Sequence, residues 1–464
     1  MAEVKEKRWD LVVIGSGPGG YTAAIRAAQL GMSVAIAERA ELGGVCLNWG
    51  CIPTKALLTS AERHHEMRRA SDFGLAAEGI SFDWGAIIRR SRNAADRMNK
   101  GVAFLMKKNG IEILSGRARL GGAQGEVLVE GTRVAAKQVL IATGARARPL
   151  PGIPFDRERI VSAADAMVRK ERPSRLLIVG AGAIGVEFAY FFSSFGTKVT
   201  LVEMLSHLLP IEDEEIGKEL ERSFSKKGIA IRLSTKVAAL RREGEGVRAT
   251  LAGPKGEETV EADLALVAVG VQGNVEDLGL EQAGVHHERG AIQVDARMKT
   301  STPGIWAIGD VVGPPWLAHV AAAEGIVAVE TMAGHDRPGI DQRKVPGCTY
   351  CHPQVASVGL TEKAARERGY EIKVGRFPMR ACGKAVAAGE TEGFAKVIVG
   401  ARYGEILGVH MIGASVTEAI GEASLALAGE VTAEALLDAI HAHPTVTETI
   451  AEATANALGE AINI

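Results

Sequence analysis

Short apolar runs, each followed by glycines and a small-residue helix, set the first rhythm of this chain. Leu11–Ile14 reads "LVVI", four consecutive apolar positions that predict a buried strand. Gly15, Gly17 and Gly20 follow in G-x-G-x-x-G spacing, then an alanine-rich helix and a second strand ending at Glu38. The stretch "RLLIVGAGAIGVEFAYFFSSFGTKVTLVE" repeats the unit. Gly180, Gly182 and Gly185 lie 165 residues after the first three glycines, and Glu203 lies 165 after Glu38. One glycine fingerprint is weak evidence. Two, each with strand, turn, helix, strand and acid in order, predict two dinucleotide-binding folds.

The chemistry follows from the spacing. The first glycine permits a tight turn, the second lets backbone approach a pyrophosphate, and the third lets the helix pack close to its strand. The helix N-terminus then offers free N–H groups and a positive dipole end to the phosphates. At the second site, Glu203 can bond both ribose hydroxyls of NAD and would repel a 2′-phosphate; Met204, Leu205, Ser206 and His207 follow it, with no arginine. That site is therefore expected to prefer NAD to NADP. The first site cannot be assigned from its glycines. The competing reading of Glu38 and Glu203 is a pair of solvated strand-end acids.

Composition narrows the class. A chain of 464 residues is expected to hold about three domains. Hydrophobic residues make up 47% and charged residues 24%, the profile of a soluble globular protein. A formal net charge of −2 without a Lys/Arg block gives no reason to expect nucleic acid or an anionic membrane. No apolar run reaches the roughly 18 residues that span a bilayer. The start, "MAEVKEKRWD", has no apolar stretch before the first strand, so no secretory signal is expected. Five cysteines, an odd number in a long chain, argue against a secreted disulfide framework and for a reducing cytoplasm.

Two of those cysteines, Cys46 and Cys51, fall in "LGGVCLNWGCIPTKALL". Fully extended, the chain would hold their Cα atoms about 16–18 Å apart, whereas a disulfide needs about 4.4–6.8 Å. The segment must therefore curl to close one. Gly50 and Pro53 supply the means, and the following residues predict a helix with Cys51 at its N-terminus. There the dipole favours thiolate. A catalytic disulfide, a metal half-site and two inert buried thiols remain as alternatives at this point.

Taken with its neighbours, "GGVCLNWGCIPTKALL" resembles the redox-disulfide segment of the pyridine nucleotide–disulfide oxidoreductases, in the form carried by members acting on dihydrolipoyl groups. "VLIATGARARPLPG" (139–152), "STPGIWAIGDV" (301–311) and "HAHPTVTE" (441–448) agree in order, so the resemblance spans essentially the whole chain. It implies an α/β fold with two Rossmann-like domains and a C-terminal α+β dimerisation domain. FAD would sit on Gly15, Gly17, Gly20 and Glu38, with Thr143, Gly144, Asp310 and Ala318 around it. NAD would sit on Gly180, Gly182, Gly185, Glu187, Glu203 and Gly270. Lys55 would lie near the flavin and pair with Glu187; without the resemblance they read as a surface lysine and a helix-face glutamate. Cys46 would meet substrate, Cys51 would face the flavin, and His443, oriented by Glu448, would act as the base from the other subunit of a homodimer. Thr445 and Glu448 also fit a T-x-x-E capping box.

The implied reaction reoxidises a protein-bound dihydrolipoyl group and reduces NAD. The implied partners are the lipoyl domain and the dihydrolipoyl acyltransferase of 2-oxoacid dehydrogenase complexes, or the glycine cleavage system. Glutathione reductase-like members use NADP and differ after the second cysteine; mercuric reductase-like members lack the "HPT" ending and add a C-terminal cysteine pair. A flavoprotein kept as a binding module would be plausible only if a cysteine or the histidine were missing. The expected domains are 1–147 for FAD, 148–273 for NAD, 274–345 as a central segment completing the flavin region, and 346–464 as the interface.

Three features depart from the pattern or stand outside it. Val45 occupies a place where the family usually has threonine, and "AVGVQGN" (268–274) lacks the usual arginine and proline. Cys348 and Cys351 form C-x-x-C, but zinc would need four ligands, and only His352 and the distant Cys382 are near candidates. Strand alternation would put the two thiols on opposite faces, so inert packing is expected and no metal site.

Overall fold

The computed structural model describes residues 8–464. The expectation of no secretory signal rests partly on 1–7, which lie outside the described residues. The chain forms two compact units and crosses between them at 56/57, 87/88, 148/149, 269/270 and 340/341.

The first unit comprises the chain up to Ala56, Ile88–Arg148 and Gly270–Ile340. Its sheet places Glu112–Ser115, Val34–Glu38, Arg8–Ile14 and Thr132–Ile141 side by side, all parallel. The long strand Thr132–Ile141 serves two neighbours. Its first half forms a hairpin with Glu126–Val129, and its last residues pair in parallel with Ile305–Ala307. The predicted run Leu11–Ile14 lies at the buried centre of this sheet, which is why it is apolar on both faces. The helix Pro18–Gln29 buries only Gly19, Gly20, Ala23, Ala24 and Ala27. These small residues let a second helix, Ala318–Met332, come close: a Cβ on Gly325 would lie 2.8 Å from the Gly19 carbonyl oxygen.

The second unit comprises Leu57–Ile87, Pro149–Val269 and Asp341–Ile464. It holds a parallel sheet in the order Ala230–Arg232, Lys198–Val202, Arg175–Val179, Leu264–Val267, Ile160–Val161. A three-stranded antiparallel sheet follows the strand Ala230–Arg232 in sequence. The C-terminal part is a five-stranded antiparallel sheet whose apolar cluster includes Val397, Val409 and Met411 with Ile420 and Ile450 from two helices.

One lysine in this sheet runs against its surroundings. Lys396, in "FAKVIVG", is 1% exposed, yet its ammonium meets Asp213 at 2.9 Å, Glu215 at 2.7 Å and Glu362 at 2.8 Å. Burial works to lower its pKa, but the three carboxylates together raise it above the ordinary lysine value. Arg376 adds a second cation on Glu215 and Glu362. Removing one partner of such a pair leaves buried charge uncompensated, which typically costs about 3–5 kcal/mol. Lys396→Met is expected to lower stability by that order in urea unfolding, while Lys396→Arg loses less; equal losses would show that the charge is not what matters.

The structure corrects one local expectation. The strand Gly347–Thr349 ends before Cys351, so strand alternation does not apply to the C-x-x-C pair. Cys348, Cys351 and Cys382 form no disulfide, and Cys351 is buried with its Sγ donating to the Pro353 carbonyl at 3.0 Å.

Candidate active site

In the first unit, the strand Arg8–Ile14 ends in Gly15 at φ +102°, a turn only glycine adopts without strain. A Cβ on Gly15 would overlap the Ala142 carbonyl, and one on Gly20 would overlap the Gly15 carbonyl. A Cβ on Gly17 would meet nothing within 4 Å. That open face lies at the N-terminus of the helix Pro18–Gln29, which has no side-chain cap, so its first N–H groups remain available to an anion. The second unit repeats the arrangement. Gly180 sits at φ +100°, Gly185 is closed in by the Gly180 carbonyl, and Gly182 faces open space before the helix Ala183–Ser194.

The repeat extends to the acids. Glu38 accepts the Ser16 N–H at 3.0 Å on Oε2 and the Ala40 N–H at 2.9 Å on Oε1. Glu203 accepts the Ala181 N–H at 2.7 Å and the Leu205 N–H at 2.9 Å in the same way. Each acid thus ties its strand end to the glycine loop, a task that sequence spacing alone does not show. Both oxygens of Glu203 retain a lone pair for a ribose hydroxyl, whereas at Glu38 only Oε1 does, because Oε2 also accepts the Ser16 hydroxyl at 2.6 Å. Glu203→Ala is expected to narrow the kcat/KM gap between NAD and NADP; a wild-type enzyme with equal values for both would refute the assignment.

Two acids in the first unit are perturbed by burial. Asp310, in the turn Gly309–Val312, has its carboxyl pushed up to about 6 by desolvation. Glu324, on the helix Ala318–Met332, is pushed up to about 7, chiefly by burial and also by Asp310, although it accepts the Gly309 N–H at 2.6 Å. Among the described residues Asp310 has no ion-pair partner, so a polyol hydroxyl would satisfy it. Thr143 and Gly144 are held by Asn274: the Thr143 hydroxyl donates to the Asn274 carbonyl, and the Asn274 N–H donates to the Gly144 carbonyl, both at 2.9 Å. Ala318 begins its helix, again without a side-chain cap. Glu324 escaped the sequence reading; its signal is a single acid in the middle of "AHVAAAEGIVAV", which is apolar apart from it and His319.

The cysteines close as a disulfide, with Cα atoms 4.6 Å apart. Cys51 is the first residue of the helix Cys51–Arg68. The curl comes from a second, short helix, Gly44–Trp49, which lifts Cys46 back toward Cys51. Its brace is a long helix, Trp84–Lys108. Asn99 donates to the Leu42 carbonyl, which also receives the buried Asn48 side chain, both at 2.8 Å. Arg92 bonds the Asn48 carbonyl and stacks on Trp49 at 4.4 Å. Asn48, Arg92 and Asn99 were not singled out in the sequence, because nothing local links 99 to 42. Val45 is exposed beside the disulfide.

In the second unit, His443 is 77% exposed, and its Nδ1 lies 2.9 Å from Glu448 Oε1. Glu448 Oε2 accepts the Thr445 N–H at 2.7 Å. Burial pushes the Glu448 carboxyl up, but the Thr445 amide and the imidazole outweigh it and hold it below its usual range. The capping box is only half formed: the helix begins at Glu448 with Thr447 as its cap, and the Thr445 hydroxyl donates to Ala442 instead. Glu448 therefore orients the imidazole and secures the turn together, leaving Nε2 outward. Glu187 is buried on its helix and accepts the Tyr350 N–H at 2.9 Å. Lys55 lies on the disulfide helix, and Gly270, at φ +111°, sits where the chain re-enters the first unit.

Residues 9–325 match the pyridine nucleotide-disulphide oxidoreductase family, and residues 345–454 match its dimerisation domain. Dihydrolipoyl dehydrogenase of Zymomonas mobilis is 46% identical, over 98% of this chain and 99% of its own. The proteins of the same description from Rhizobium etli and Bacillus subtilis are 47% and 42% identical over similar shares. Among solved structures, LpdA from Mycobacterium tuberculosis superposes with a TM-score of 0.89 at 27% identity, covering 97% of this chain and 99% of that one. The HOCl-induced flavoprotein disulfide reductase RclA from Escherichia coli gives 0.85 at 29%, covering 96% and 99%. No helix among the described residues is long and apolar enough to cross a membrane.

Proposed function

Since the chain belongs to the pyridine nucleotide-disulphide oxidoreductases, we propose that it reoxidises protein-bound dihydrolipoyl groups to lipoyl groups and reduces NAD+ to NADH. The observation that carries this reading is the Cys46–Cys51 disulfide at a helix start, in the same unit as the open Gly17 loop. FAD and NAD are its cofactors. Gly17 and the helix N-terminus after it would cradle the FAD pyrophosphate, and Asp310 would take a ribityl hydroxyl. Gly182 and Glu203 would hold NAD. When bound, FAD would supply the two-electron link between the enzyme dithiol and NAD+.

The chain's own residues perform the thiol steps. His443, held by Glu448, takes a proton from one substrate thiol. The resulting thiolate attacks Cys46 Sγ, the Cys46–Cys51 bond breaks, and Cys51 leaves as thiolate at the positive end of its helix. The second substrate thiol then attacks the sulfur bonded to Cys46, closes the lipoyl ring and releases Cys46, whose sulfur takes up the proton that this thiol loses. Substrate loses two electrons and the enzyme disulfide gains them.

The dimerisation domain supports a homodimer, in which His443 serves the disulfide of the other subunit. The fitting partners are a lipoyl domain and the dihydrolipoyl acyltransferase of a 2-oxoacid dehydrogenase complex, or the glycine cleavage system. Three cysteines outside any disulfide suit a reducing cytoplasm. The test is the visible spectrum of the purified protein before and after dihydrolipoamide. Flavin bands with a long-wavelength shoulder on partial reduction support the scheme; a colourless protein overturns it.

A further inference from the structure

Away from the disulfide and His443, three side chains distant in sequence bring their ligating atoms together in the second unit. His65 lies on the helix Cys51–Arg68, fourteen residues beyond Cys51. His352 lies in the turn between the strands Gly347–Thr349 and Gln354–Gly359. Glu390 lies just after the short helix Gly383–Ala388. One nitrogen from each imidazole and one carboxylate oxygen all fall within 4.8 Å of one another. It is the only such group of metal-capable side chains among the described residues. We propose that His65, His352 and Glu390 bind a divalent first-row transition ion, with Zn2+ the best match, and that the ion staples the far end of the disulfide helix to two turns of the C-terminal sheet.

The donor set supports this. Two imidazole nitrogens and a carboxylate oxygen are ligands that zinc takes at about 2.0–2.2 Å, with a fourth position left to water. Donors at that radius in a tetrahedron stand about 3.3 Å apart. His352 Nε2 and Glu390 Oε2 are already 3.2 Å apart, so gathering the site asks mainly for a small movement of the His65 ring. All three residues are half-buried, which limits competing water without sealing the site.

A second layer aims the carboxylate. Arg69, just beyond the end of that helix and four residues after His65, donates to Glu390 Oε1 at 2.7 Å and to the Gly389 carbonyl at 2.9 Å. Oε1 is thereby occupied and Oε2 is left facing His352, the arrangement in which outer-shell bonds fix a metal ligand. Tyr190 closes one side, its ring 6.1 Å from that of His352. The Arg69 charge opposes a dication, so the site binds more weakly than an all-thiolate structural site. No cysteine takes part: the Cys351 thiol, next in sequence to His352, is engaged with the Pro353 carbonyl. The C-x-x-C motif thus marks the place of a metal site without supplying its ligands.

The inference does not depend on the dihydrolipoyl reaction, and its test reads binding rather than turnover. Untagged, flavin-loaded, disulfide-oxidised protein is stripped with chelator and dialysed against graded ZnCl2, and bound zinc is counted per chain. One saturable zinc per chain is expected, with affinity at least tenfold weaker in His65→Gln and Glu390→Gln and unchanged in Cys351→Ser. Zinc is also expected to raise Tm in the wild type and in Cys351→Ser but not in His65→Gln. Should His352→Gln fail to fold, His65→Gln and Glu390→Gln carry the test, since retained flavin reports that they fold. Absence of saturable zinc, unchanged affinity in His65→Gln, or loss of binding in Cys351→Ser each overturns the proposal.

Discussion

Replacing either Cys46 or Cys51 with serine abolishes lipoamide turnover while flavin stays bound. The expectation rests on the closed disulfide and on the position of Cys51 at the start of an 18-residue helix. A serine hydroxyl cannot enter thiol–disulfide exchange, so no partial route remains; the loss should reach at least about 10⁴-fold in kcat, as for other covalent nucleophiles. The folded state should tolerate the change. Both cysteines are only half-buried, and the segment that carries them is held independently by Asn48, Arg92 and Asn99. Retained flavin absorbance checks that point, and steady-state assay with dihydrolipoamide checks the chemistry. Near-wild-type turnover in either single variant would rule out the disulfide mechanism.

The second large effect is expected at His443. Its Nδ1 is fixed by Glu448 at 2.9 Å, so Nε2 is presented outward from an exposed ring. A positioned base of this kind contributes about 10²–10⁴-fold, and His443→Gln should slow thiol turnover by that factor. Oxidation of NADH by artificial acceptors bypasses the thiol step and should be largely spared. The dimer makes a sharper test possible. Inactive Cys46→Ser and His443→Gln chains, separated and reassembled together, should give heterodimers with one working site if, as proposed, each disulfide of the C2 dimer is served by the other chain's histidine. Verified heterodimers without recovered activity would show that the histidine acts within its own subunit or not at all.

Local constraints made much of this molecule legible in advance. A glycine at φ +102° is demanded by the backbone of one turn, and a close strand–helix contact demands another five residues on. These demands recur 165 residues later because the same unit is built twice. The helix beginning at Cys51 was equally readable, since Gly50 and Pro53 mark its start within the segment itself. The half-formed capping box shows the limit of such reading. Thr445 and Glu448 have the right spacing, but Glu448 is also drawn to His443, and the helix starts two residues later than the box would place its first turn.

What the sequence by itself determined, then, is whatever depends on neighbours a few residues apart: strand, turn, helix start and the identity of the reactive side chains. Tertiary structure decided everything that depends on burial and on distant partners. Asp310 and Glu324 become weaker acids because the fold removes water from both and sets the Asp310 charge near Glu324. Asn99 reaches Leu42, Lys396 gathers three carboxylates, and His65 meets His352 and Glu390 only once the chain has closed over long loops. The physical reason is range. Backbone sterics and helix periodicity act over a few residues and leave a pattern in the sequence, whereas desolvation and long-range ion pairing depend on which segments come together in space.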